Sequence, residues 1–482
     1  MINSKLPNKY TKMKNILLIF FLVLTNFVNA TNFYVDSSTT LTTQNGSIST
    51  PWKTLTQVNS NMSQFQPGDI ISFRKGYSYS GQLMVTRSGT AASPIIFNSY
   101  GTGEMPKFIG TGSRLTSLVY ISNRQYIVFD GIEVTDPTIS PTDRTIQSKI
   151  ERAFYLDGST NNVNIRNCKI NLAGVGVYFV GGNNTLHNCI IENLRMVVNT
   201  NDGGFDDYGA NPVVISSANN RITNNRFLNC WANSFDFTYD GGAVEFFGPN
   251  TNNNIVAYNI MEDNNGLVEF GSSNGGTSSG NIFAYNILIN NGSLFYINNS
   301  GPFSITATNI QFYNNVIVET VAQRLNESFL FSMASSSANA GISVMKNNIF
   351  WITTGIDLAR AGQFTGSQLT HNNNIIARAS NATAINFAIH PTEIVTTTAT
   401  QIFKSVSGSP IDWDYNAKDT TSIQVNRGET IPGQLFDFSG DPIVNATDIG
   451  VEELQAITPQ PPPVRTGYII VNDKFERLKV LY

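Results

Sequence analysis

Asn164-Ile165-Arg166-Asn167, Thr185-Leu186-His187-Asn188, Ile222-Thr223-Asn224-Asn225, Val256-Ala257-Tyr258-Asn259, Phe283-Ala284-Tyr285-Asn286, Gln311-Phe312-Tyr313-Asn314 and Val344-Met345-Lys346-Asn347 are one phrase written seven times. In each, a few β-formers run into an Asn, and a short apolar run and a turn with Gly or Asn follow. The intervals are irregular, between 21 and 37 residues. A period of that size marks a solenoid, and short β-rich pieces without helical periodicity make it a β-solenoid. A single coil cannot bury its own apolar face, so coils stack about 4.8 Å apart and share one core. Equivalent residues then form ladders, and an Asn repeated at a turn can hydrogen-bond its neighbours' backbone where a left-handed residue is needed.

Working outward, the phrase gives way at both ends. Upstream, Thr50-Pro51 opens a short helical stretch with Trp52, Leu55, Val58 and Met62 on one side, expected to plug the N-terminal end of the stack. Ile70-Ile71-Ser72-Phe73, Pro94-Ile95-Ile96-Phe97 and Pro106-Lys107-Phe108-Ile109 continue as strands. Downstream, residues 381–455 lose the repeat and are expected to cap the other end, since open solenoid ends polymerise. Residues 456–482, with Pro459, Pro461, Pro462 and Pro463, form an extended linker and tail. The expected organisation is a leader over 1–30, an N-terminal cap and first coils over 31–115, and coils with a groove over 116–380. The recurring Asn and the Asn-Gly turns of roughly residues 120–375 resemble the asparagine ladder of pectate-lyase-like right-handed β-helices. The opening helix and Asp448-Ile449-Gly450-Val451-Glu452 resemble the ends of secreted bacterial members of that group. The resemblance implies an all-β, right-handed parallel β-helix of carbohydrate-active type with an N-terminal helical cap and a C-terminal cap. It implies no particular reaction, because this fold hosts many chemistries.

Lys5, Lys9, Lys12 and Lys14 precede an apolar run from Ile16 to Leu24, and Val28-Asn29-Ala30 offers small residues for cleavage, with Met13 as an alternative start. This pattern predicts a secretory signal peptide and a secreted protein, extracellular or periplasmic. Nine apolar residues are too few to span a bilayer, so no membrane span is expected after cleavage. A net charge of −4 with only 13% charged residues and no basic run argues against a nucleic-acid partner; a monomer is expected. Three cysteines, Cys168, Cys189 and Cys230, make no disulfide framework. Burial as small apolar residues is the favoured reading, although Cys168 and Cys189 sit in similar contexts that permit one bridge.

Aligning coils on their turn glycines places Gly242-Ala243-Val244-Glu245-Phe246 over Gly266-Leu267-Val268-Glu269-Phe270, and these over Gly292-Ser293-Leu294-Phe295-Tyr296. Alternation then sends Val244, Phe246, Val268 and Phe270 inward and Glu245 and Glu269 outward as ladder neighbours. Two carboxylates stacked at roughly 5 Å repel one another and need a reason. Glycoside hydrolysis supplies one, with a protonated acid beside an ionised nucleophile or base; a bound Ca²⁺ supplies another; an exposed sheet that simply carries Glu is the plain alternative. Asp240, in Tyr239-Asp240-Gly241-Gly242, is expected at the groove edge, and Asp263 in the corresponding turn of the next coil. Asp202, Asp206 and Asp207 lie in a glycine-rich loop that can bind substrate or calcium, or be an ordinary solvated loop; Asp236 is equally ambiguous. Trp231, Tyr239, Phe247, Phe295 and Tyr296 offer faces to sugar rings if they are not core.

Asn199-Thr200-Asn201-Asp202 followed by Asp206-Asp207 has a superficial likeness to the acidic motifs of polygalacturonases, but the motifs are adjacent here and no Gly-His-Gly follows. His187, His371 and His390 are expected to be structural or on the surface. A lyase needs a base and a cation against a uronate carboxylate. Arg195, Arg221 and Arg226 are candidates for the cation, whereas no Lys lies between residues 170 and 345 to act as base. Three readings follow: a polysaccharide hydrolase using Asp240, Glu245, Asp263 and Glu269 and needing no cofactor; a calcium-dependent lyase of uronate-containing glycans; and a non-catalytic carbohydrate-binding β-helix.

Overall fold

The computed structural model describes residues 30–321, 328–378, 384–443 and 446–454. Apart from Ala30, the expected signal peptide lies outside the described residues, as does the Pro-rich tail. Three parallel sheets run side by side, and the chain visits them in a fixed order. One coil passes through Asn161–Arg166 in the first sheet, Lys169–Asn171 in the second and Val175–Phe179 in the third, then re-enters the first at Thr185–His187. Among the described residues the first, second and third sheets hold 13, 12 and 10 strands. Strands of three to eight residues suffice because every second side chain enters a shared core. Phe246, Phe270 and Phe295 stack there against Phe283, with centroids 5.8, 6.2 and 5.1 Å from its ring.

The repeated Asn resolves into two adjacent columns. The outer one holds the left-handed backbone: Asn167, Asn188, Asn224, Tyr258, Tyr285, Asn314 and Asn347 all have φ between 52° and 60°. The next residue points inward and makes the ladder. The backbone N–H of Asn225 donates to Oδ1 of Asn259 (2.9 Å), Asn259 to Asn286 (3.0 Å), Asn286 to Asn315 (3.0 Å), Asn315 to Asn348 (3.0 Å) and Asn348 to Asn374 (3.0 Å). Their amide nitrogens reach back to carbonyls of the preceding coil, such as Asn259 Nδ2 to Ile222 O at 2.9 Å. A buried turn is thereby fully hydrogen-bonded without water. Two more ladders follow the same rule: Asn184, Asn220, Asn254 and Asn281 between the third and first sheets, and Cys230, Asn264 and Asn291 between the second and third.

Carboxylates end two of these ladders. Glu393 Oε1 accepts from Asn374 Nδ2 at 2.8 Å, and Glu319 Oε1 accepts the backbone N–H of Asn291 and of Gly292, each at 3.0 Å. Burial drives the Glu319 carboxyl up to about 8. Cysteines begin the same two ladders. Cys168 N–H faces Cys189 Sγ at 3.4 Å and Cys189 N–H donates to Asn225 Oδ1 at 2.9 Å, so the two are stacked, buried and free, with no bridge. The histidines are held structurally: His371 Nδ1 lies 2.9 Å from Glu393 Oε1, His187 Nδ1 is 3.0 Å from Thr223 Oγ1 and His390 Nδ1 is 2.9 Å from Thr392 Oγ1.

Near the start, the helix Leu55–Asn61 is capped by Thr54 and Gln57 in a capping box, four residues later than Thr50. Trp52, Leu55, Val58 and Met62 are all buried in the main core. Beyond the strand Ile394–Thr396 the chain runs back along the side of the stack, which sequence reasoning placed at the end. Ile449 and Val451 pack on Ile260, Ile287, Val316, Val318 and Ile349, outward residues of the second sheet. Asn314 Nδ2 donates to Gly450 O at 2.8 Å, and Tyr258 hydroxyl donates to Phe436 O at 3.2 Å. A run such as Ile287-Leu288-Ile289, apolar on both faces, is the mark of a strand covered on both sides.

This flank is sealed by buried carboxyls. Asp437 Oδ2 accepts from Glu453 N–H at 2.9 Å, and the Glu453 carboxyl accepts from Asp448 N–H at 3.1 Å. Burial raises Asp437, Asp448 and Glu452, and drives Glu453 up to about 8. A carboxyl raised on folding stabilises the fold fully below its unfolded value, and that contribution is lost as pH rises through the folded value. Hydrogen exchange over residues 434–443 and 446–454, corrected for intrinsic rate, is therefore expected to accelerate several-fold from pH 6 to pH 9 while the ladder coils stay protected. Equal protection at both pH values would remove the carboxyls from the seal.

Candidate active site

The third sheet carries the acidic groove. Val244–Phe247 pairs in register with Val268–Gly271, which makes Glu245 and Glu269 direct partners with Val244, Phe246, Val268 and Phe270 buried behind them. The expected stacked pair is present. Each carboxyl is drawn a different way: Glu245 Oε2 accepts from Asn211 Nδ2 of the preceding coil (3.0 Å), and Glu269 Oε1 from Asn298 Nδ2 of the following coil (2.7 Å). The two side chains are therefore held by amides of coils on opposite sides of the pair.

The next coil corrects the alignment. Val268 pairs with Phe295 and Glu269 with Tyr296, one residue later than the glycines suggested. A one-residue slip exchanges the two faces. Phe295, expected to bind substrate, is core, stacked on Phe270 at 5.9 Å, and Tyr296 is the outward residue beside Glu269.

Asp240 reaches the pair from an insertion. The antiparallel strands Trp231–Ser234 and Thr238–Gly241 form a hairpin beside the groove, next to a second one made by Met196–Val198 and Tyr208–Gly209. Gly241 and Gly242, at φ 122° and 147°, return the chain to the groove strand, and Asp240 Oδ1 accepts the Gly241 N–H at 2.7 Å. Crowding by the hairpin wall and groove floor raises all three carboxyls. Burial leads for Asp240 and Glu245, which lie well above the ordinary range, and negative charge adds to it: Glu269 on both, and Asp240 on Glu245. Glu269 is raised by burial too, but its Asn298 hydrogen bond pulls it back. Its side chain is the most solvent-exposed of the pair. Of the three carboxyls, Glu269 is the least raised.

Asp263 does not join them. Its backbone, at φ 53°, belongs to the left-handed column of Asn193, Asn229 and Asn290, and its charge acts on Glu262 and Glu319. The ladder equivalent of Asp263 is Asn229; Asp240 lies in the hairpin inserted after it. Asp207 is a structural pin. Its Oδ1 accepts from Thr200 N–H (2.7 Å) and its Oδ2 from Ser234 Oγ (2.7 Å), Phe235 N–H (2.8 Å) and Asp236 N–H (3.0 Å), which joins the two hairpins. Asp206, Asp207 and Asp236 have carboxylate oxygens within 4.8 Å of one another. Asp202 is exposed and accepts the Gly204 N–H at 3.3 Å. Trp231 lies under the Arg144 guanidinium at 4.4 Å and meets Tyr239 edge-on at 5.9 Å, so both stiffen the hairpin.

None of the three candidate arginines faces the groove. Arg195 is fully buried, its donors on the carbonyls of Asp143, Asn193, Leu194, Ser140 and Pro141; Arg221 is on the first sheet, and Arg226 pairs with Glu262 on the second. Sequence reasoning missed Asn211 and Asn298, which hold the glutamates. It also missed the outward tyrosines of earlier coils, although Val119-Tyr120-Ile121, Phe154-Tyr155-Leu156 and Val177-Tyr178-Phe179 repeat a polar-tipped aromatic between two inward residues.

Residues 152–340 match a family model described as a right handed beta helix region. The sequence matches no curated protein. Among solved structures, alginate lyase from Paenibacillus sp. str. FPU-7 is 14% identical, with a TM-score of 0.40 over 72% of this chain and 96% of the lyase. GH136 lacto-N-biosidase from Eubacterium ramulus is 12% identical, with a TM-score of 0.45 over 81% of this chain and 70% of that one. A PL6 family polysaccharide lyase from Pseudopedobacter saltans is 12% identical, with a TM-score of 0.40 over 83% of this chain and 98% of that one. Likeness this distant carries no chemistry. Among the described residues no helix is long and apolar enough to cross a membrane. With three parallel sheets visited in turn and internal ladders between them, this chain is a right-handed parallel β-helix protein.

Proposed function

We propose that the protein is a secreted glycoside hydrolase that cleaves a polysaccharide in the groove of the third sheet. The observation that supports this is the in-register pair Glu245 and Glu269, held by Asn211 and Asn298 and joined by Asp240. In this reading Glu245, held protonated by its recess and by the charge of Glu269, gives its proton to the glycosidic oxygen as the bond to the anomeric carbon breaks. Glu269, ionised, attacks that carbon or takes a proton from the water that does. Asp240, itself raised well above its ordinary range, is the third carboxyl of the groove. Water adds across the bond, so each cleavage gains one water and no electrons change hands.

The test is mass spectrometry of products from neutral and acidic polysaccharides, with and without chelator. Saturated products heavier by one water per cleavage support the reading. Chelator-sensitive unsaturated products absorbing near 235 nm would replace it with the calcium-dependent lyase, the wavelength being that of any unsaturated uronate. A panel that binds without being cut would leave a carbohydrate-binding β-helix.

A further inference from the structure

On the third sheet, the outward position that holds Glu245 and Glu269 is occupied in earlier coils by tyrosine. Tyr120 pairs with Tyr155, Tyr155 with Tyr178, Tyr178 with Val214 and Val214 with Glu245. The three rings follow one another at 5.7 and 5.5 Å between centroids, tilted by 46° and 39°. Each is half-buried. Val214, the next outward residue before the carboxylates, is buried in a cluster with Val197, Val198 and Tyr208 of the neighbouring hairpin and with Phe247. Tyr120 to Glu245 is four coil steps, about 19 Å at ~4.8 Å each. One coil step is close to the length of one sugar unit in an extended glycan.

We infer that Tyr120, Tyr155 and Tyr178 form consecutive sugar-binding positions leading to the carboxylates, so that an uncharged glycan lies along the axis of the β-helix with one sugar per coil. This rests on the reading of the groove as a hydrolase site and adds its substrate class. Tyrosine suits the role because its ring packs on the apolar face of a pyranose while its hydroxyl stays within reach of sugar hydroxyls. The charge around the row is balanced. Arg114 meets Glu151 at 2.6 Å, Arg152 meets the same carboxylate at 3.2 Å and lies 4.8 and 5.3 Å from the centroids of Tyr155 and Tyr178, and Asp157 accepts the Tyr120 hydroxyl at 2.6 Å. Two cations thus face two carboxylates, with no surplus positive charge for a uronate. A polyuronate would also bring one negative charge per coil towards Asp240, Glu245 and Glu269, which repel it.

The test is affinity electrophoresis of the protein in gels containing xylan, galactomannan, β-glucan, polygalacturonate or alginate, with Tyr155→Ala, Tyr178→Ala and Tyr155→Phe beside the parent. A thermal melt certifies each variant's fold. The expected result is retardation by at least one neutral polysaccharide, weakened about tenfold in each alanine variant and kept in Tyr155→Phe, a tenfold change being about 1.4 kcal/mol. Equal retardation of folded alanine variants, retardation only by the polyuronates, or none in any gel would overturn the inference. The hydrolase reading fails separately: retardation lost in Tyr155→Ala with no product from any glycan removes the chemistry and leaves the row. Cleavage with unchanged binding by Tyr155→Ala removes the row and leaves the chemistry.

Discussion

Glu269→Gln is expected to fold like the parent and to turn over its polysaccharide about 10²–10⁴-fold more slowly, the range that a positioned acid or base contributes. The glutamine still offers an oxygen to Asn298 Nδ2, so the local hydrogen bond survives. The charge that crowds Glu245 and Asp240 is gone, and the melting temperature should hold or rise. Glu245→Gln should lose as much activity for a different reason, since it removes the proton donor. The parent's pH profile separates the roles. Activity should fall on the alkaline side as Glu245, raised well above the ordinary range, loses its proton, and on the acid side as Glu269, raised less, gains one. Glu245→Gln should lose the alkaline limb from whatever activity remains. Activity within about tenfold of the parent in both variants, on any substrate the parent cuts, would take the chemistry away from this pair. Asp263→Asn, by contrast, should leave kcat within twofold, because Asp263 acts on Glu262 and Glu319 and not on the groove.

The largest expected loss of stability lies in the ladder. Asn259→Leu matches the volume but strands the Asn225 N–H, at 2.9 Å from Asn259 Oδ1, and the Ile222 carbonyl, at 2.9 Å from Asn259 Nδ2, and leaves the Asn225 amide with the Leu186 carbonyl alone. All lie in the fully buried turn, with no route to water. At about 1–3 kcal/mol for each unsatisfied buried group, the cost is on the order of 3–5 kcal/mol. The urea midpoint should drop accordingly, whereas Asn224→Gly, one residue earlier at φ 58°, should change it little because glycine takes that backbone freely. A leucine variant as stable as the parent would mean that the ladder is filler.

Much of this was readable from the chain alone, and the limits have physical causes. The phrase ending in Asn announced the stacked turns, but it merged two columns, because Asn serves both the left-handed outer position and the inward ladder position. Glu245 over Glu269 was found because two pentads that differ only at Ala243 and Leu267 align without a gap. The next coil carries one extra residue before its strand, and the glycine alignment ran across it, so Phe295 and Tyr296 exchanged faces. Asp240 was placed correctly at the groove edge, but it gets there on a hairpin, and no spacing rule separates an inserted hairpin from an ordinary turn. Arg195 could not be judged from sequence at all, since five backbone carbonyls, three of them some 50 residues away in the 140–143 segment, take its donors. The flank over 434–454 carries no repeat of its own; its signature sits on its partners, in second-sheet strands such as Ile287-Leu288-Ile289 that are apolar on both faces.

The ladders also have a direction. Each rung's N–H is answered by the next coil, never by the previous one, so a partly built stack always ends on an open donor that the following segment of chain will fill. A nascent chain leaving the ribosome meets its contacts in this same order, and the growing tip behaves like the active end of a polymer. Glu319 and Glu393 are the chain terminators. A carboxylate accepts the last donor and offers no new one, so two of the three ladders close with nothing left for a second molecule to continue.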